Sequence, residues 1–396
     1  MLFFGVGLSL ALDSYGCLAG FDNAALDTYL LVRAPKRVED IVLVEVGEAD
    51  YRNLFHARSP LDEQVLAELV RAIQAGSPAL VVVDIDTSAS SMGGRLLELG
   101  CSPPVVWGQD ALIRNGEAEP LPFADDSHTR SPCASGLSVF PMDADGIVRR
   151  YRRFVEAGAR ALPTLPMVAA GYLRFDTGSS GAAAQHDLVL NFSGDRYAFV
   201  SFTAAQVLEG SKGIGWSARG PLTGRTVVLG GTYRAARDEY ATPVGPMAGA
   251  HLVAQALASE IHHGGIQQSS EWFKLAVEAV VGLVVIAIHY ALRPVAAMLV
   301  SVFALPLAAF LGSWLVFSTL GYWVTFVPLV ACVLLDQIKH HLDRFAAISQ
   351  DHGQLAEENR RLRSALLAQP TGSGAEPTAP HVATSVAPGP DRADKI

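Results

Sequence analysis

The chain has 396 residues, of which 50% are hydrophobic and only 17% charged, and its mean hydropathy is +0.28. This composition is too apolar for one ordinary soluble domain and predicts a membrane protein. The net charge of -9 and the pI near 5.7 leave no basic surface for DNA or RNA, which excludes nucleic acid as a partner.

The N-terminal segment, residues 1–20, is mostly apolar and predicts a retained transmembrane helix, although Asp13 interrupts it. A cleaved signal peptide is the alternative, but the segment has no basic n-region and no clear small-x-small cleavage site. Whether Met1 is the true start stays open at this point.

The next segments predict a strand, a helix and a second strand. Residues 40–46 (DIVLVEV) and 79–85 (ALVVVDI) are short, apolar and β-branched, as buried strands are. Between them, the pattern predicts a helix with Ser59 as its N-cap and Gly76 at its end. This spacing is typical of a right-handed parallel βαβ unit.

Strand and helix patterns continue to alternate over the rest of residues 21–271, which we therefore assign to one domain. The alternation predicts an α/β fold, with a mostly parallel sheet flanked by helices. The further strands are expected at 103–109, 136–142, 187–192 and 225–231, and the further helices at 163–174, 203–209 and 247–261.

Two cysteines of this domain, Cys101 and Cys133, each precede a predicted strand. If those strands are neighbours, both thiols lie at the amino edge of the sheet, which favours a disulfide in an oxidising compartment. Two unpaired thiols are the alternative.

Acidic residues follow the predicted strands closely. Because ligands bind at the carboxyl ends of the strands in an open parallel sheet, these side chains are candidates for binding a divalent cation or a cationic ligand. The alternative is that they cap the following helices and turns, as an Asx turn in DADG would do. They are Glu45, Glu48, Asp84, Asp86, Asp110, Asp143 and Asp145.

Residues 272–336 contain three apolar runs, 273–292, 295–317 and 320–335, which predict three transmembrane helices in antiparallel sequence. Basic residues between the first two runs and after the third indicate the cytoplasmic side, so residues 21–271 are expected outside. The basic residues are Arg293, Lys339 and Arg344.

Residues 337–368 follow a heptad pattern and predict a short cytoplasmic coiled-coil stem. Asn359 falls at an a position, where a buried amide favours a parallel homodimer. An amphipathic helix lying on the membrane surface is the alternative. Residues 369–396 are rich in Pro, Gly, Ala, Ser and Thr without periodicity, and predict a disordered tail.

Two motifs carry a resemblance to a known family: DADGIVRR at 143–150 and GRTVVLGGTYRAARDEYATPVGPMAGAHLVAQAL at 224–257. With the order of the other segments over residues 20–265, they resemble the second class of CHASE domain, an extracytoplasmic sensory module of bacterial cyclases and histidine kinases. The chain departs from the family at Val46-Gly47 and in the turn ARSPLD (57–62), which puts a ligand contact there in doubt.

Arg149 and Asp238 lie in these two motifs and complete the candidate ligand-binding residues. They are expected to pair with each other, to orient a bound anion or to hold a loop, and a structural ion pair is the favoured interpretation.

The resemblance implies a multi-pass protein of the bacterial inner membrane with a periplasmic sensory domain, which binds an extracytoplasmic small molecule or protein. No nucleotide-chemistry motif is found, so we expect no enzyme activity and signalling through a separate cytoplasmic partner. No cofactor is identified, and the adjacent pairs His262-His263 and His340-His341 make poor metal ligands.

Two alternatives remain. The first is a structural or assembly subunit of a membrane complex. The second is a metal-dependent hydrolase that uses Asp84, Asp86 and Asp145, although no nucleophile or base accompanies them.

Overall fold

A computed structural model describes residues 18–33, 35–87, 100–114, 117–121, 133–157, 160–173, 187–194, 196–213, 215–216, 220–262, 266–268, 271–324 and 327–367. The chain divides into two compact units, Met1–Asp336 and Gln337–Ile396. The predicted N-terminal transmembrane helix, up to residue 17, and the predicted tail from residue 369 lie outside the described residues.

The first unit is built on a six-stranded sheet in which every neighbouring pair is parallel. The two central strands are buried at every position because helices cover both faces of the sheet. The order across the sheet is β5-β1-β6-β2-β3-β4, where the strands are β1 (Val38–Val46), β2 (Leu80–Asp84), β3 (Val105–Gln109), β4 (Ala134–Leu137), β5 (Phe199–Thr203) and β6 (Thr226–Gly231).

Six helices form layers on the two faces of this sheet, so the predicted α/β fold is confirmed. Alternate side chains of each strand enter opposite cores: Leu43 packs on one face and Val42 on the other. The first face carries α1 (Ala19–Val32), α4 (Leu165–Tyr172) and α6 (Gly249–His262), and the second carries α2 (Glu48–Asn53), α3 (Glu63–Ala75) and α5 (Ala204–Gly210).

Two strand predictions were wrong in detail. The fourth strand of the sheet begins at Ala134, whereas the sequence placed it at 136–142, and the segment 187–192 is not part of the sheet. Within that segment, Leu188–Val189 pairs antiparallel with Arg150–Tyr151 instead. The sheet also contains β5, an edge strand that the sequence did not predict.

Helix α3 begins later than predicted. Its N-cap is Asp62, whose Oδ1 accepts hydrogen bonds from the backbone N–H groups of Gln64 at 2.9 Å and Val65 at 3.2 Å. Ser59 was the predicted cap, and that prediction is wrong because the nearer carboxylate takes this role. The predicted end at Gly76 is confirmed.

Short elements complete the domain. They are the antiparallel pairs Ala111–Arg114 with Glu117–Pro120, Phe154–Ala157 with Arg160–Pro163, and Glu239–Tyr240 with Met247–Ala248, the parallel pair Gln267–Gln268 with Tyr322–Trp323, and the 3-10 turns Arg196–Ala198 and Arg234–Ala236.

The C-terminal helices match the apolar runs in part. Among the described residues, one stretch, Ala296–Thr319, is long and apolar enough to cross a membrane, with a mean hydropathy of 2.1. Only 11% of it is buried, unlike the core helix of a soluble protein. A shorter apolar segment covers Ala279–Ala291. The helices are α7 (Glu271–Ala291), α8 (Pro294–Leu299), a π-helical turn (Val300–Ala304), α9 (Leu305–Leu320) and α10 (Val327–Leu367).

Candidate ligand site

A cavity of about 540 Å³ opens at the carboxyl edge of the sheet, and we call it the acidic cavity. Asp84 is the last residue of β2, Asp110 directly follows β3, and Gly231 ends β6. All three line the cavity because parallel strands end at the same edge. Asp86 and Asp238 also line it, which brings four carboxylates to one cavity.

Asp84 is the most buried of these acids, at 9% exposure. Its Oδ1 accepts a hydrogen bond from the Ser138 hydroxyl at 2.5 Å, while its Oδ2 is buried and has no hydrogen-bond partner in the described part of the chain. Burial raises the pKa of Asp84 to about 7, with repulsion from Asp238 as the second cause. The carboxyl group is therefore poised between its protonated and charged forms near neutral pH.

The neighbouring acids are perturbed in the same direction. Burial raises the pKa of Asp110, and Asp86 and Asp238 add repulsion. Burial also raises the pKa of Asp238, although hydrogen bonds from Tyr240 and from the backbone N–H of Gly249 oppose the shift. The cavity thus holds more negative charge than its surroundings stabilise.

A second cavity of about 450 Å³ lies beside the first and shares Gly231, Tyr233, Arg237 and Asp238 with it. It contains Glu45, the acid at the end of β1, and His251 of α6, whose Nε2 lies 3.5 Å from the Glu45 carboxylate. His251 is only 5% exposed, and its Nδ1 has no hydrogen-bond partner among the described residues.

Glycine packing shapes the boundary between β6 and α6. A Cβ on Gly230 would lie 2.4 Å from the Ala250 Cβ, and one on Gly249 would lie 2.2 Å from the Asp238 Oδ2. The glycines therefore let α6 approach the sheet and let the Asp238 carboxylate reach the start of that helix.

Glu48 does not appear among the described lining residues of the acidic cavity. Its role is structural instead. Its carboxylate accepts a hydrogen bond from the Arg234 backbone N–H at 3.2 Å and pairs with Arg52 at 2.6 Å. The Arg234 contact is the larger cause of a lowered pKa for Glu48. Glu48 thereby fixes the turn that leads to Asp238.

Arg149 belongs to a different cluster. All five of its N–H bonds go to Asp27, Asp143 and Asp145, at 2.7–2.9 Å. No donor is left for Asp238, so the favoured pairing of Arg149 with Asp238 is wrong. Asp27 lies on α1, and the cluster ties that helix to the DADG turn.

The hydrolase alternative loses its third acid. Asp84 and Asp86 line the acidic cavity, whereas Asp145 bonds Arg149 and is not among the described lining residues. No group of three or more His, Cys, Asp or Glu side chains among the described residues has the geometry to hold a metal ion.

Several contributors to the two cavities were not predicted. Ser138, Tyr233 and Tyr240 line the acidic cavity, and so do Ser59 and Pro60 from the turn where the chain departs from the family. The two tyrosines flank Asp238 within a quoted motif, which could have indicated them. His251 lies within an apolar helical pattern, which gives no such signal.

An aromatic cluster lies at the base of the domain, and we call it the aromatic collar. Tyr29 of α1 is fully buried, and its hydroxyl donates to the Phe310 backbone carbonyl at 2.7 Å. Its ring lies 5.1–5.6 Å from the rings of Phe310, Trp314, Phe317 and Trp323. The domain is thus packed directly against the apolar helix α9 and the segment that follows it.

A second contact joins the same segments. Gln267–Gln268 pairs in parallel with Tyr322–Trp323, and Ile266 exchanges two backbone hydrogen bonds with Val189. The chain leaving α6 is therefore bonded both to the domain and to the segment after α9.

Cys101 and Cys133 are joined by a disulfide, with 5.7 Å between their Cα atoms. They precede β3 and β4, which are neighbours in the sheet. The bond joins the two segments that lead into these strands.

The open parallel sheet has cavities at its carboxyl edge, the edge at which ligands bind in α/β folds of this kind. The sequence profile of the CHASE2 domain matches residues 2–291, which is most of the chain. The protein therefore belongs to the CHASE2 family of extracytoplasmic sensory domains, as the resemblance of its motifs implied. Searches of curated proteins and of solved structures found no match.

Proposed function

We propose that this protein is a membrane-anchored sensor. Its extracytoplasmic domain binds a soluble ligand at the carboxyl edge of the sheet and passes the change through the membrane helices to a separate cytoplasmic partner. Family membership supports the sensory role, and the acidic cavity supplies a site for the ligand.

The observation that carries this proposal is the path of helix α6. Its first residue, Gly249, contacts Asp238 at the acidic cavity. Beyond its last turn, Gln267–Gln268 pairs with Tyr322–Trp323 next to the aromatic collar. A helix of 14 residues spans about 21 Å. A movement of its start can therefore reach the segment after α9 through one almost fully buried element.

Three features support the proposed topology, with the domain outside a bacterial inner membrane and three or four crossings. The disulfide suits an oxidising compartment. The segment after α9 packs on the domain, as it would if both lay on the outer side. The basic residues after the apolar runs indicate the opposite, cytoplasmic side.

We also propose that α10 forms a parallel coiled coil with a second copy of this chain. From Ile338 onward, six large apolar side chains of α10 are more than half exposed in a single chain, and most fall at a or d positions of the heptad. They are Ile338, Leu342, Phe345, Ile348, Leu355 and Leu362.

Amide hydrogen exchange on the full chain in nanodiscs tests the sensor proposal without a known ligand. Asp238→Asn removes a charge from the start of α6. We expect altered exchange at 266–268 and 321–324, at the far end of the helix. Glu209→Gln, which changes an exposed acid paired with Lys212, is the matched control and should leave these segments unchanged. An effect of Asp238→Asn confined to the cavity would contradict the proposal.

A further inference from the structure

We infer that the acidic cavity binds a small organic cation, with an ammonium group held among the carboxylates of Asp84, Asp110 and Asp238. This inference rests on the proposed sensory function and specifies the chemistry of its ligand.

The first reason is the Asp84 carboxylate. It is more than nine-tenths buried, it lines the cavity, and its Oδ2 lacks a hydrogen-bond partner in the described part of the chain. A buried acceptor without a donor is destabilising unless a ligand supplies the donor. An ammonium group supplies both the N–H donor and the positive charge.

The second reason is the balance of charge. Four carboxylates line the cavity, and Arg237 is the one basic side chain among its described lining residues. The Arg237 side chain is exposed to solvent. A cation bound near Asp84 and Asp110 would stabilise their charged forms, which offsets the repulsion and the desolvation that raise their pKa values. A bound anion would instead be repelled by the four carboxylates.

The third reason separates an organic cation from a metal ion. The described residues contain no metal-binding arrangement of three or more His, Cys, Asp or Glu side chains. A volume of about 540 Å³ is far larger than one ion needs and suits a small molecule. Tyr233 and Tyr240 line the same cavity, and aromatic rings attract organic cations through cation–π contacts.

The test uses the full chain in nanodiscs of zwitterionic lipid, which keeps cationic probes from binding the bilayer. The probes are ethylenediamine, 1,4-diaminobutane and choline. The comparison compounds are 1,4-butanediol, which is similar in size but neutral, sodium acetate, MgCl2 and CaCl2. Thermal shift and titration calorimetry at constant ionic strength give the melting temperature and the Kd.

We expect at least one organic cation to raise the melting temperature, and 1,4-butanediol to have no effect. Asp84→Asn and Asp238→Asn should weaken that binding at least tenfold, whereas Glu209→Gln should leave the Kd unchanged. Asp84 and Asp238 are changed in separate variants, so that a failure of one variant to fold leaves the other as a test. Asp84→Asn keeps an oxygen that can accept the hydrogen bond from the Ser138 hydroxyl.

Three results would overturn the inference: no shift with any organic cation, an equal shift with 1,4-butanediol, or binding that Asp84→Asn does not weaken. Stabilisation by Mg²⁺ or Ca²⁺ alone would also overturn it in favour of a metal site. If the exchange experiment on Asp238→Asn still links the cavity to residues 321–324, only the ligand class fails and the sensory function stands.

Discussion

Asp84 ends a strand whose five residues are all buried, and this position determines its chemistry. In a parallel sheet that helices cover on both faces, the last residue of a strand lies at the carboxyl edge and is still buried. Asp110 and Asp238 line the same cavity. Burial raises the pKa of all three carboxyl groups, and repulsion between carboxylates adds to the shift at Asp84 and Asp110.

The raised pKa of Asp84 predicts how stability depends on pH. Between its usual value of 3.8 and about 7, the folded state holds a proton that the unfolded state has lost. Stability should therefore fall as pH rises through this window and level off above it. Asp84→Asn should remove about 1–4 kcal/mol of that loss, since one pKa unit corresponds to about 1.4 kcal/mol.

Chemical unfolding of the wild type and of Asp84→Asn at pH 5 and pH 8 measures this difference. The raised pKa values of Asp110 and Asp238 leave some pH dependence in the variant. Identical pH dependence in both proteins would show that Asp84 does not hold a proton in the folded state.

The buried Arg149 side chain predicts a large loss of stability when its charge is removed. Its side chain is 1% exposed and bonds three carboxylates, so Arg149→Met leaves them without their cation. We expect a loss of roughly 3–5 kcal/mol in the free energy of unfolding. Arg152→Gln, which removes a half-exposed partner of Asp187, should cost about 1 kcal/mol or less. Equal losses in the two variants would contradict a structural role specific to Arg149.

The sequence located the acids of the cavity better than the partners of Arg149. The rule that ligands bind at the carboxyl ends of parallel strands needs only the strand ends and their parallel direction, and it placed Asp84 and Asp86 at the edge where the acidic cavity lies. The Arg149 contact with Asp27 joins residues 122 positions apart, on a helix that no local pattern links to the DADG turn. Spacing along the chain carries no information on such a contact.

The aromatic collar predicts how much stability is lost when Tyr29 is changed. Tyr29→Phe keeps the ring but removes the hydroxyl that bonds the Phe310 carbonyl, so we expect a loss of about 1 kcal/mol. Tyr29→Ala also removes the ring packing and should cost about 3–5 kcal/mol. Thermal and chemical unfolding of the full chain in nanodiscs measures both.

Tyr172→Ala is the control for the collar, because Tyr172 is 46% exposed on α4. It should change stability much less than Tyr29→Ala. If both alanine variants lose the same stability, the contact between α1 and α9 does not hold the domain to the apolar helix.

Strand β5 and the segment 187–192 show where pattern reading fails. Three residues of β5, Val200, Ser201 and Thr203, are exposed, as expected at a sheet edge, so the strand lacks the continuous apolar run of the buried strands. The segment 187–192 has that run, but its Asn191 N–H bonds the Ser259 hydroxyl and its Leu190 N–H bonds the Arg149 carbonyl. Apolar composition indicates burial, and it does not indicate which backbone groups pair.

For the whole molecule, the proposed coiled coil predicts the oligomeric state. Deleting residues 337–368 removes the exposed apolar side chains of α10 while leaving the sheet domain folded. We expect cysteine crosslinking between the chains near the inner leaflet to fall to background. Crosslinking at the level of the full chain would show that the stem does not make the dimer.

The arrangement of the apolar C-terminal helices was predicted only in part. The apolar run 320–335 reads as one crossing, but Tyr322–Trp323 forms a short strand and the next helix begins at Val327. Hydropathy averages over these different structures. It therefore identifies apolar segments without determining how many of them cross.

Labelling with a membrane-impermeant maleimide tests most directly whether the sheet domain and the end of α10 lie on opposite sides of the membrane. Glu68→Cys on α3 and Gln354→Cys on α10 place single thiols at exposed positions, with Cys17 and Cys332 changed to Ser. We predict that Glu68→Cys reacts in intact spheroplasts and that Gln354→Cys reacts only after lysis. Reaction of both thiols in intact spheroplasts, or protection of Glu68→Cys until lysis, would contradict this prediction.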